Sequence, residues 1–386
     1  MAGEAQKVRQ AFEKAYGPAN GVRVFRAPGR VNLIGEHTDY NMGFVLPIAI
    51  EFACFIACSK GDGTVLRVYS ENLNESRAWP IGEIPKLEPA RDWGDYVAGV
   101  AREVLSAGFK IENCDLAIHS TVPVGSGLSS SAALEVSTAL ALLGSQNIEP
   151  LELARLCQRA ERNFVGMPCG IMDQYVSVFG KENAALEIDC RSLGHKVATL
   201  PSGVAIVAVN TMVKHELGTS AYKQRVAECA AAVEAIQRRY LDVKSLRDVS
   251  SEQLESVAGE IPPVPLRRAL HVVTEDERVE KFIAASAAGN LREMGDLFVA
   301  SHRSLQKDYE VSCEELDALV DTALGIPGVF GARMTGGGFG GCTVNLVLPE
   351  AAPVFQNAIT RAYKSRFGID PQVYVCKPSE GAGEVE

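Results

Sequence analysis

The strand-like and helix-like segments of this chain follow one another without a regular alternation. Glu51–Lys60 and Thr64–Ser70 combine apolar and β-prone residues and predict two early strands, whereas Ser129–Leu143 predicts a helix. Further helices are predicted at Leu151–Asn163, Asp173–Phe179, Ala221–Arg239 and Arg278–Ala287, and further strands at Val204–Val209, Cys342–Leu348 and Val373–Cys376. Because a doubly wound sheet needs strands and helices in alternation, this order favours an α+β fold.

The length of 386 residues exceeds what a single hydrophobic core usually serves. We therefore expect two packed domains, residues 1–200 and residues 201–386, although nothing in the composition marks the divide sharply. The last residues, Gly381 to Glu386, are rich in glycine and glutamate, and we expect this tail to be frayed.

Composition and charge argue against several classes of protein. Hydrophobic residues make up 47% and charged residues 22%, as in an ordinary soluble globular protein, and the formal net charge is −10. This charge argues against non-specific binding to nucleic acids or anionic membranes. No apolar stretch is long enough to span a bilayer and the N-terminus has no apolar signal core, so a cytoplasmic protein is expected. The ten cysteines lack CxxC spacing, which indicates buried free thiols in a reducing cytosol.

A glycine-rich turn runs directly into a predicted helix at Pro123–Ala132 (PVGSGLSSSA). Gly125 and Gly127 allow the backbone to approach an anion closely, and the helix start directs free N–H groups towards it. Ser129, Ser130 and Ser131 add hydroxyls for phosphate oxygens or a bound Mg²⁺. A loop with a serine N-cap explains the segment equally well. The chain has neither a GxxxxGK[ST] string nor the HRD, DFG and APE set, which excludes P-loop NTPases and protein kinases.

A second glycine run lies at Met334–Thr343 (MTGGGFGGCT). It formally contains GxGxxG, but a dinucleotide fingerprint must be followed by a helix, and a strand is predicted here. Two interpretations stay open. The run is either a flexible hairpin or a backbone that passes close to the nucleotide or to the first glycine loop.

Polar side chains cluster in Arg26–Tyr40 (RAPGRVNLIGEHTDY), where Glu36, His37, Thr38 and Asp39 follow a glycine. Each hydroxyl of a sugar donates and accepts, so carboxylates and an imidazole fixed on a turn could read its stereochemistry. The alternative is that these polar side chains simply lie on a surface loop. The planar, permanently charged guanidinium of Arg30 suits the stabilisation of a transferring phosphoryl group.

Two acidic residues flank the turn 166–170 (GMPCG): Glu161 lies near the end of one predicted helix, and Asp173 begins the next. In a kinase one carboxylate would hold Mg²⁺ and another would face the attacking hydroxyl. A carboxylate at a helix start also interacts favourably with the helix dipole. The residues alone do not assign these roles.

Four segments together resemble the galactokinases, a branch of the GHMP small-molecule kinase family. They are APGRVNLIGEHTDYN, VGSGLSSSA, GMPCGIMDQ and MTGGGFGGC, and their order and spacing fit the family across essentially the whole chain. The resemblance implies a two-domain GHMP-kinase-like fold with the active site in the interdomain cleft. It also implies transfer of the γ-phosphoryl group of ATP to the anomeric hydroxyl of galactose, giving galactose 1-phosphate and ADP, the first committed step of galactose catabolism.

The resemblance implies roles for single residues as well. Asp173 would be the catalytic carboxylate and Arg30 its cationic partner, with Mg²⁺ on Ser131 and Glu161. The sugar site would comprise Glu36, His37, Thr38, Asp39, Gly170, Asp173 and Tyr222. The ATP site would comprise Ser70, Gly125, Ser126, Gly127, Leu128, Ser129, Ser130 and Ser131. Because a neighbouring arginine favours the ionised carboxylate, we expect Asp173 to orient the anomeric hydroxyl and to take its proton late.

Two rival functions stay open. One is a GHMP kinase for N-acetylgalactosamine, arabinose, mevalonate or homoserine, although the polar cluster at Glu36–Asp39 argues against the last two. The other is a sensor that binds sugar and ATP without catalysis. Such sensors resemble galactokinases but lose part of the serine-alanine segment, which is present here as Ser129–Ala132, so catalysis is favoured. A monomer is expected.

Overall fold

Within residues 2–214 and 218–385, which the computed structural model describes, the strands form three sheets. The strands are β1 (Arg23–Asn32), β2 (Phe44–Val45), β3 (Pro47–Ser59), β4 (Val65–Ser70), β5 (Glu75–Pro80), β6 (Asp115–Ser120), β7 (Ala184–Asp189), β8 (Gly194–Thr199), β9 (Ala205–Lys214), β10 (Val329–Thr335), β11 (Gly340–Val347), β12 (Gln372–Cys376) and β13 (Gly383–Val385). The sheet orders are β13-β1-β3-β6-β4-β5, β10-β11-β9-β12 and β2-β7-β8.

Helices cover these sheets. They are α1 (Ala2–Tyr16), α2 (Gly94–Ser106), α3 (Ser130–Leu143), α4 (Pro150–Arg159), α5 (Met172–Phe179), α6 (Gly218–Gln237), α7 (Ser251–Val257), α8 (Pro263–Ala287), α9 (Leu291–Lys307), α10 (Glu314–Leu324) and α11 (Ala352–Phe367). Each predicted helix and strand overlaps an observed element of the same type. The mixture of largely antiparallel sheets and helices in two halves confirms the α+β, two-domain expectation, while the divide near residue 200 stays a prediction.

The first half is a sandwich of helices around the six-stranded sheet. Helix α1 packs its apolar side, including Val8 and Phe12, against Phe55 of β3. Helices α2 and α3 bury Val100 and Val136 in the main core on the other face. Among the described residues no helix combines the length and the apolar character needed to cross a membrane.

The tail returns to the first sheet. Strand β13 pairs antiparallel with β1 in the register Val24↔Val385, and the Arg23 guanidinium binds the Glu384 carboxylate through two hydrogen bonds of 2.8 and 2.7 Å. The expectation of a frayed tail is therefore wrong for Gly383–Val385. The edge of β1 offers unpaired backbone groups that this short strand satisfies.

A bulge in β1 joins the sheet to the first glycine loop. The pairing between β1 and β3 shifts between Pro28 and Arg30. A Cβ at Gly29 would collide with the carbonyl oxygen of Leu128, and the Arg30 backbone N–H donates to that same oxygen at 3.0 Å. Glycine at this position therefore lets the loop lie directly on the strand.

The second glycine run is the hairpin between β10 and β11, and it lies on the first loop. A Cβ at Gly336 would come within 3.3 Å of the Gly127 carbonyl oxygen, and one at Gly341 within 3.3 Å of the Ser126 carbonyl oxygen. The interpretation of a close approach to the first loop is confirmed. The contact brings the two halves of the chain together at the candidate site.

Candidate active site

Three separate segments meet at the carboxylate of Asp173, the second residue of α5. Arg30, near the end of β1, donates from Nε to Oδ1 at 2.8 Å and from Nη2 to Oδ2 at 2.7 Å. Ser129 donates from Oγ to Oδ2 at 2.5 Å. Arg30 is buried, whereas a quarter of the Asp173 side chain stays exposed (25%), so the carboxylate is fixed in orientation yet accessible to a substrate.

The first glycine loop ends in an unusual helix start. Ser129 adopts a left-handed conformation (φ 62°), and its hydroxyl does not cap α3 because it binds Asp173 instead. No acidic residue lies in the first turn of the helix. The free N–H groups and the positive dipole end of α3 are thus left for an external anion, which is the arrangement by which helix starts bind phosphate in other proteins.

The remaining ATP-site candidates surround this helix start. Ser126 is fully buried and donates to the Pro123 carbonyl oxygen at 2.7 Å, which fixes the turn, and Leu128 is buried behind it. Ser130 and Ser131 open α3 and are partly exposed. Ser70 is the last residue of β4, which runs parallel to β6. Both strands therefore end on the same side of the sheet, where the first glycine loop follows β6.

Buried acidic groups lie beside the first turn of α3. Glu161 sits in a single π-helical turn, Ala160–Val165, which follows α4, and its Oε2 accepts from Gln174 Nε2 at 2.6 Å. The same nitrogen donates to Oε2 of Glu135 at 2.9 Å. Burial raises the pKa of Glu135 well above its usual value, and burial together with the charge of Asp173 raises the pKa of Glu161. Removal from water and mutual repulsion both disfavour the ionised forms.

This donor set suits a metal that is shared with nucleotide phosphates. Within the described part of the chain, no group of three or more His, Cys, Asp or Glu side chains could hold a metal alone. Mg²⁺, however, is commonly bound by one or two protein oxygens together with substrate phosphates. Ser131 lies within hydrogen-bonding reach of the Glu161 carboxylate, and a bound cation would offset the burial and the Asp173 charge that raise the pKa of Glu161.

Glu36 occupies the base of the site. Its carboxylate is buried, and Oε1 accepts from Gly336 N at 2.8 Å and from Thr335 Oγ1 at 3.0 Å. The guanidinium of Arg333 lies 3.5 Å away. Burial raises the pKa of Glu36 despite these favourable partners. The residue thereby ties the polar cluster of the first half to the second glycine run.

Asp39 and Gly170 fit closely against each other. A Cβ at Gly170 would overlap the Asp39 carboxylate, so this position requires glycine. Burial and the charge of Asp173 raise the pKa of Asp39 to about 7. The two carboxylates lie close enough to repel each other, so both could accept hydrogen bonds from one polar ligand.

Aromatic rings pack around His37 in the polar cluster formed by residues 36–39. The His37 ring lies 5.5 Å from the Tyr222 ring and 4.8 Å from the Tyr309 ring, measured between centroids, and its Nδ1 is 2.8 Å from the Tyr40 hydroxyl. Burial lowers the pKa of His37 to about 3, so the imidazole is neutral. Thr38 is different, because its hydroxyl lies between two backbone oxygens of its own loop and shares its single proton between them.

The structure thus brings all the predicted site residues to one region, except that Ser70 lies at the margin and the Thr38 hydroxyl is turned into the loop. The sequence did not predict the roles of Glu135, Gln174 and Arg333. Gln174 bridges Glu135 and Glu161, and Arg333 lies beside Glu36. Glu135 follows Ser131 by one helical turn in an otherwise apolar helix, and that isolated charge was a usable signal. Gln174 and Arg333 carry no comparable local pattern.

Family models and curated relatives agree with this geometry. The model described as the galactokinase galactose-binding signature matches residues 10–60, the GHMP kinase N-terminal domain matches 95–181, and the GHMP kinase C-terminal model matches 282–365. Galactokinases from Roseiflexus sp. (strain RS-1) and Chloroflexus aggregans are each 44% identical over 382 residues, which covers 98% of this chain and 97% of each relative.

Solved structures give the same result. The crystal structure of Lactococcus lactis galactokinase complexed with galactose superposes with a TM-score of 0.93 at 35% identity, covering 100% of this chain and 99% of that one. A mevalonate kinase superposes with a TM-score of 0.66 at 19% identity over 92% of this chain and 98% of that one, which shows a shared fold.

Proposed function

The chain belongs to the galactokinases of the GHMP kinase family and phosphorylates galactose, and we propose that the reaction takes place at Asp173 and Arg30. The observation that carries this proposal is the meeting of Arg30, Asp173 and Ser129 at one carboxylate. Ser129 belongs to the first glycine loop, residues 125–131, which we call the phosphate loop, and Asp173 faces the polar cluster around Asp39. A phosphoryl group bound to the loop and a sugar bound to the cluster would therefore meet at this point.

The galactose site is formed by Glu36, His37, Thr38, Asp39, Gly170, Asp173 and Tyr222. Asp39 and Asp173 supply acceptors for sugar hydroxyls, and the rings of Tyr222 and His37 supply an apolar wall. Glu36 and Thr38 fix the loop that presents these groups. A site that hydrogen-bonds each hydroxyl rejects sugars that lack one, because buried polar groups would lose their partners.

ATP binds with its phosphates over the start of α3. Gly125, Ser126, Gly127, Leu128, Ser129, Ser130 and Ser131 form the loop, with Ser70 at its margin. Ser131 and Glu161 are the residues that would hold Mg²⁺, which when bound neutralises charge on the phosphates. The uncapped N–H groups of the helix start hold the phosphate oxygens in line with the acceptor hydroxyl.

The chemistry assigned to this chain is orientation, charge stabilisation and late proton transfer. Asp173 accepts the hydrogen bond of the anomeric hydroxyl and aims its oxygen at the γ-phosphorus. As the bond from phosphorus to the ADP oxygen breaks and the bond to the sugar oxygen forms, the hydroxyl proton passes to Asp173. The charge of Arg30 stabilises the negative charge around the transferring group, so galactose 1-phosphate and ADP result.

We also propose that the protein is a monomer and is located in the cytoplasm. All ten cysteines are free and eight of them are buried, as suits a reducing compartment.

The test is an ADP-release assay with MgATP and a panel of acceptors: galactose, glucose, N-acetylgalactosamine, arabinose, mevalonate and homoserine. We expect turnover with galactose that exceeds turnover with every other acceptor and is abolished by Asp173→Ala. Turnover that survives Asp173→Ala would contradict the proposed centre. A preference for N-acetylgalactosamine would contradict the proposed sugar contacts while leaving the phosphate loop in place.

A further inference from the structure

One face of helix α8 holds both ends of the segment that carries the proposed sugar residues. We call this segment, Gly35–Phe44, the sugar loop. At its first end, Oε1 of Glu275 accepts from Gly35 N at 3.0 Å and from Glu36 N at 3.4 Å. At its other end, Oδ1 of Asp276 accepts from Phe44 N at 2.7 Å. Two consecutive carboxylates of the second half therefore bind the two ends of a loop of the first half.

Glu275 is fixed in this position from behind. Its side chain is fully buried, Ser301 Oγ donates to Oε1 at 2.7 Å, and Arg278 Nε donates to Oε2 at 2.6 Å. Burial alone would raise the pKa of Glu275, but the charges of Arg278 and Arg333 and the hydrogen bond from Ser301 together outweigh it and lower the pKa, so the group is an ionised acceptor. Hydrogen bonds from backbone N–H groups to such a carboxylate are stronger than neutral ones.

A third contact lies one helical turn earlier. Nε2 of His271 is 3.1 Å from the Glu36 carbonyl oxygen, and Nδ1 is 3.0 Å from Ser304 Oγ. Burial lowers the pKa of His271 to about 4, so the ring is neutral and one nitrogen donates. Residues four apart on a helix share a face, which explains why His271 and Glu275 both contact the backbone of Glu36.

The Asp276 carboxylate lies directly against Gly43 of the loop. A Cβ at Gly43 would overlap this carboxylate, and the Thr38 hydroxyl lies between the Gly35 and Phe44 carbonyl oxygens, 2.9 Å from the first and 2.6 Å from the second, with its single proton shared between them. The two ends of the loop are therefore tied to each other and to the helix. A shift at Asp276 would be transmitted to the residues between the ends.

We propose that Glu275 and Asp276 are positioning residues for galactose, which set the affinity for the sugar by fixing the sugar loop on α8. The inference rests on the proposed function, since it takes Glu36–Asp39 to be the sugar contacts. The described contacts of the phosphate loop run to β1, α5 and the second glycine run and not to α8. Loss of the carboxylates therefore weakens galactose binding and leaves ATP binding unchanged.

The experiment compares Asp276→Ala with Asp276→Asn. The alanine loses the acceptor for Phe44 N, whereas the asparagine keeps a carbonyl oxygen at that position. We expect Asp276→Ala to raise KM and Kd for galactose about tenfold, with KM for ATP and kcat within about threefold of wild type, and Asp276→Asn to restore most of the affinity. Glu280→Ala, an exposed acid one turn further along α8, serves as the matched control and should change nothing.

Gly43→Ala gives a second route that leaves α8 intact, because its new methyl group pushes the loop away from Asp276. It should raise the galactose Kd in the same way, while thermal unfolding verifies that each variant is folded. Unchanged galactose affinity in both folded variants would overturn the positioning role. An equal loss of galactose and ATP binding would overturn it too, since that pattern indicates general damage. Wild-type protein that does not phosphorylate galactose would instead contradict the proposed function itself.

Discussion

Arg30 and Asp173 form an ion pair with two parallel hydrogen bonds, Nε to Oδ1 at 2.8 Å and Nη2 to Oδ2 at 2.7 Å. The third nitrogen of the guanidinium, Nη1, donates to the Gly127 carbonyl oxygen of the phosphate loop. A single side chain thus fixes both the carboxylate proposed to be catalytic and the loop proposed to bind phosphate. Only a planar group with several donors can bind the Asp173 carboxylate and the Gly127 carbonyl oxygen at the same time.

Arg30→Lys should therefore lower kcat strongly although the charge is kept. Lysine cannot form the two parallel hydrogen bonds to Asp173 and also reach Gly127, so we expect kcat to fall about a hundredfold or more with a smaller change in KM for galactose. Steady-state kinetics measure this. Arg23→Lys, the same substitution on the same strand at an exposed pair, should leave kcat unchanged. A kcat within threefold of wild type for Arg30→Lys would contradict the assigned role.

Gly170→Ala should abolish galactose binding while MgATP binding persists. The added methyl group would overlap the Asp39 carboxylate and displace it from the sugar site. Calorimetric titration with galactose and with MgADP separates the two effects. Gly82→Ala, at a position where a Cβ meets open space, is the control. Retention of galactose affinity in Gly170→Ala would show that Asp39 is not held where the account requires it.

Gln174→Leu should raise the Mg²⁺ requirement. The amide nitrogen bridges Glu135 and Glu161, so its loss leaves Glu161 without a strong donor that orients it. We expect the Mg²⁺ concentration for half-maximal velocity to rise about tenfold, since partners behind a metal ligand typically matter by that order. Binding of Mn²⁺ to the ADP complex, followed by electron paramagnetic resonance, gives a readout independent of activity.

Gln237→Leu is the matched control. Gln237 is the last residue of α6, and its side-chain amide donates to the Val243 carbonyl oxygen. It should cost folding free energy without changing the metal dependence. The same Mg²⁺ requirement in Gln174→Leu and wild type would rule out a positioning role for the amide.

Asp39→Asn should stabilise the unliganded protein in a pH-dependent way. Burial and the charge of Asp173 raise the pKa of Asp39 from its usual 3.8 to about 7. Between these values the unfolded chain has lost the proton and the folded chain has kept it, so wild-type stability falls as the pH rises. The free energy of unfolding of Asp39→Asn should exceed that of wild type by on the order of 4 kcal/mol at pH 8 and by almost nothing at pH 3.5.

Urea unfolding at a series of pH values measures this difference, which should grow from pH 4 to pH 7 and then level off. The same substitution should weaken galactose binding, because an amide replaces a carboxylate that accepts from sugar hydroxyls. A stability difference that does not change with pH would mean that Asp39 titrates near its usual value.

Much of the site could be predicted because its chemistry lies in short contiguous strings. The helix predicted from Ser129 begins one residue later, at Ser130, and the reason is visible only in three dimensions: Ser129 turns away to bind Asp173. The glycines of both runs predicted a close backbone approach, and the contact of Gly336 with Gly127 confirms it. Turn residues and a helix start carry their physical reason within a few positions of the chain.

The supporting contacts could not be predicted, because they join residues far apart in sequence. Nothing near Glu275 in the chain indicates that it binds Gly35, which precedes it by 240 positions. The helix predicted over Leu151–Asn163 likewise ends as an α-helix at Arg159 and continues as a π-helical turn that carries Glu161. The tail was expected to be frayed from its composition, yet the open edge of β1 orders it.

The central claim is that Asp173 orients the anomeric hydroxyl and accepts its proton during phosphoryl transfer. Asp173→Asn keeps the shape of the side chain and removes the ability to accept the proton, so single-turnover measurement with saturating galactose and MgATP tests the claim directly. The account predicts that both substrates still bind within about tenfold of wild type and that the rate of phosphoryl transfer falls by about a thousandfold or more. A folded Asp173→Asn protein that transfers phosphate at nearly the wild-type rate would contradict it.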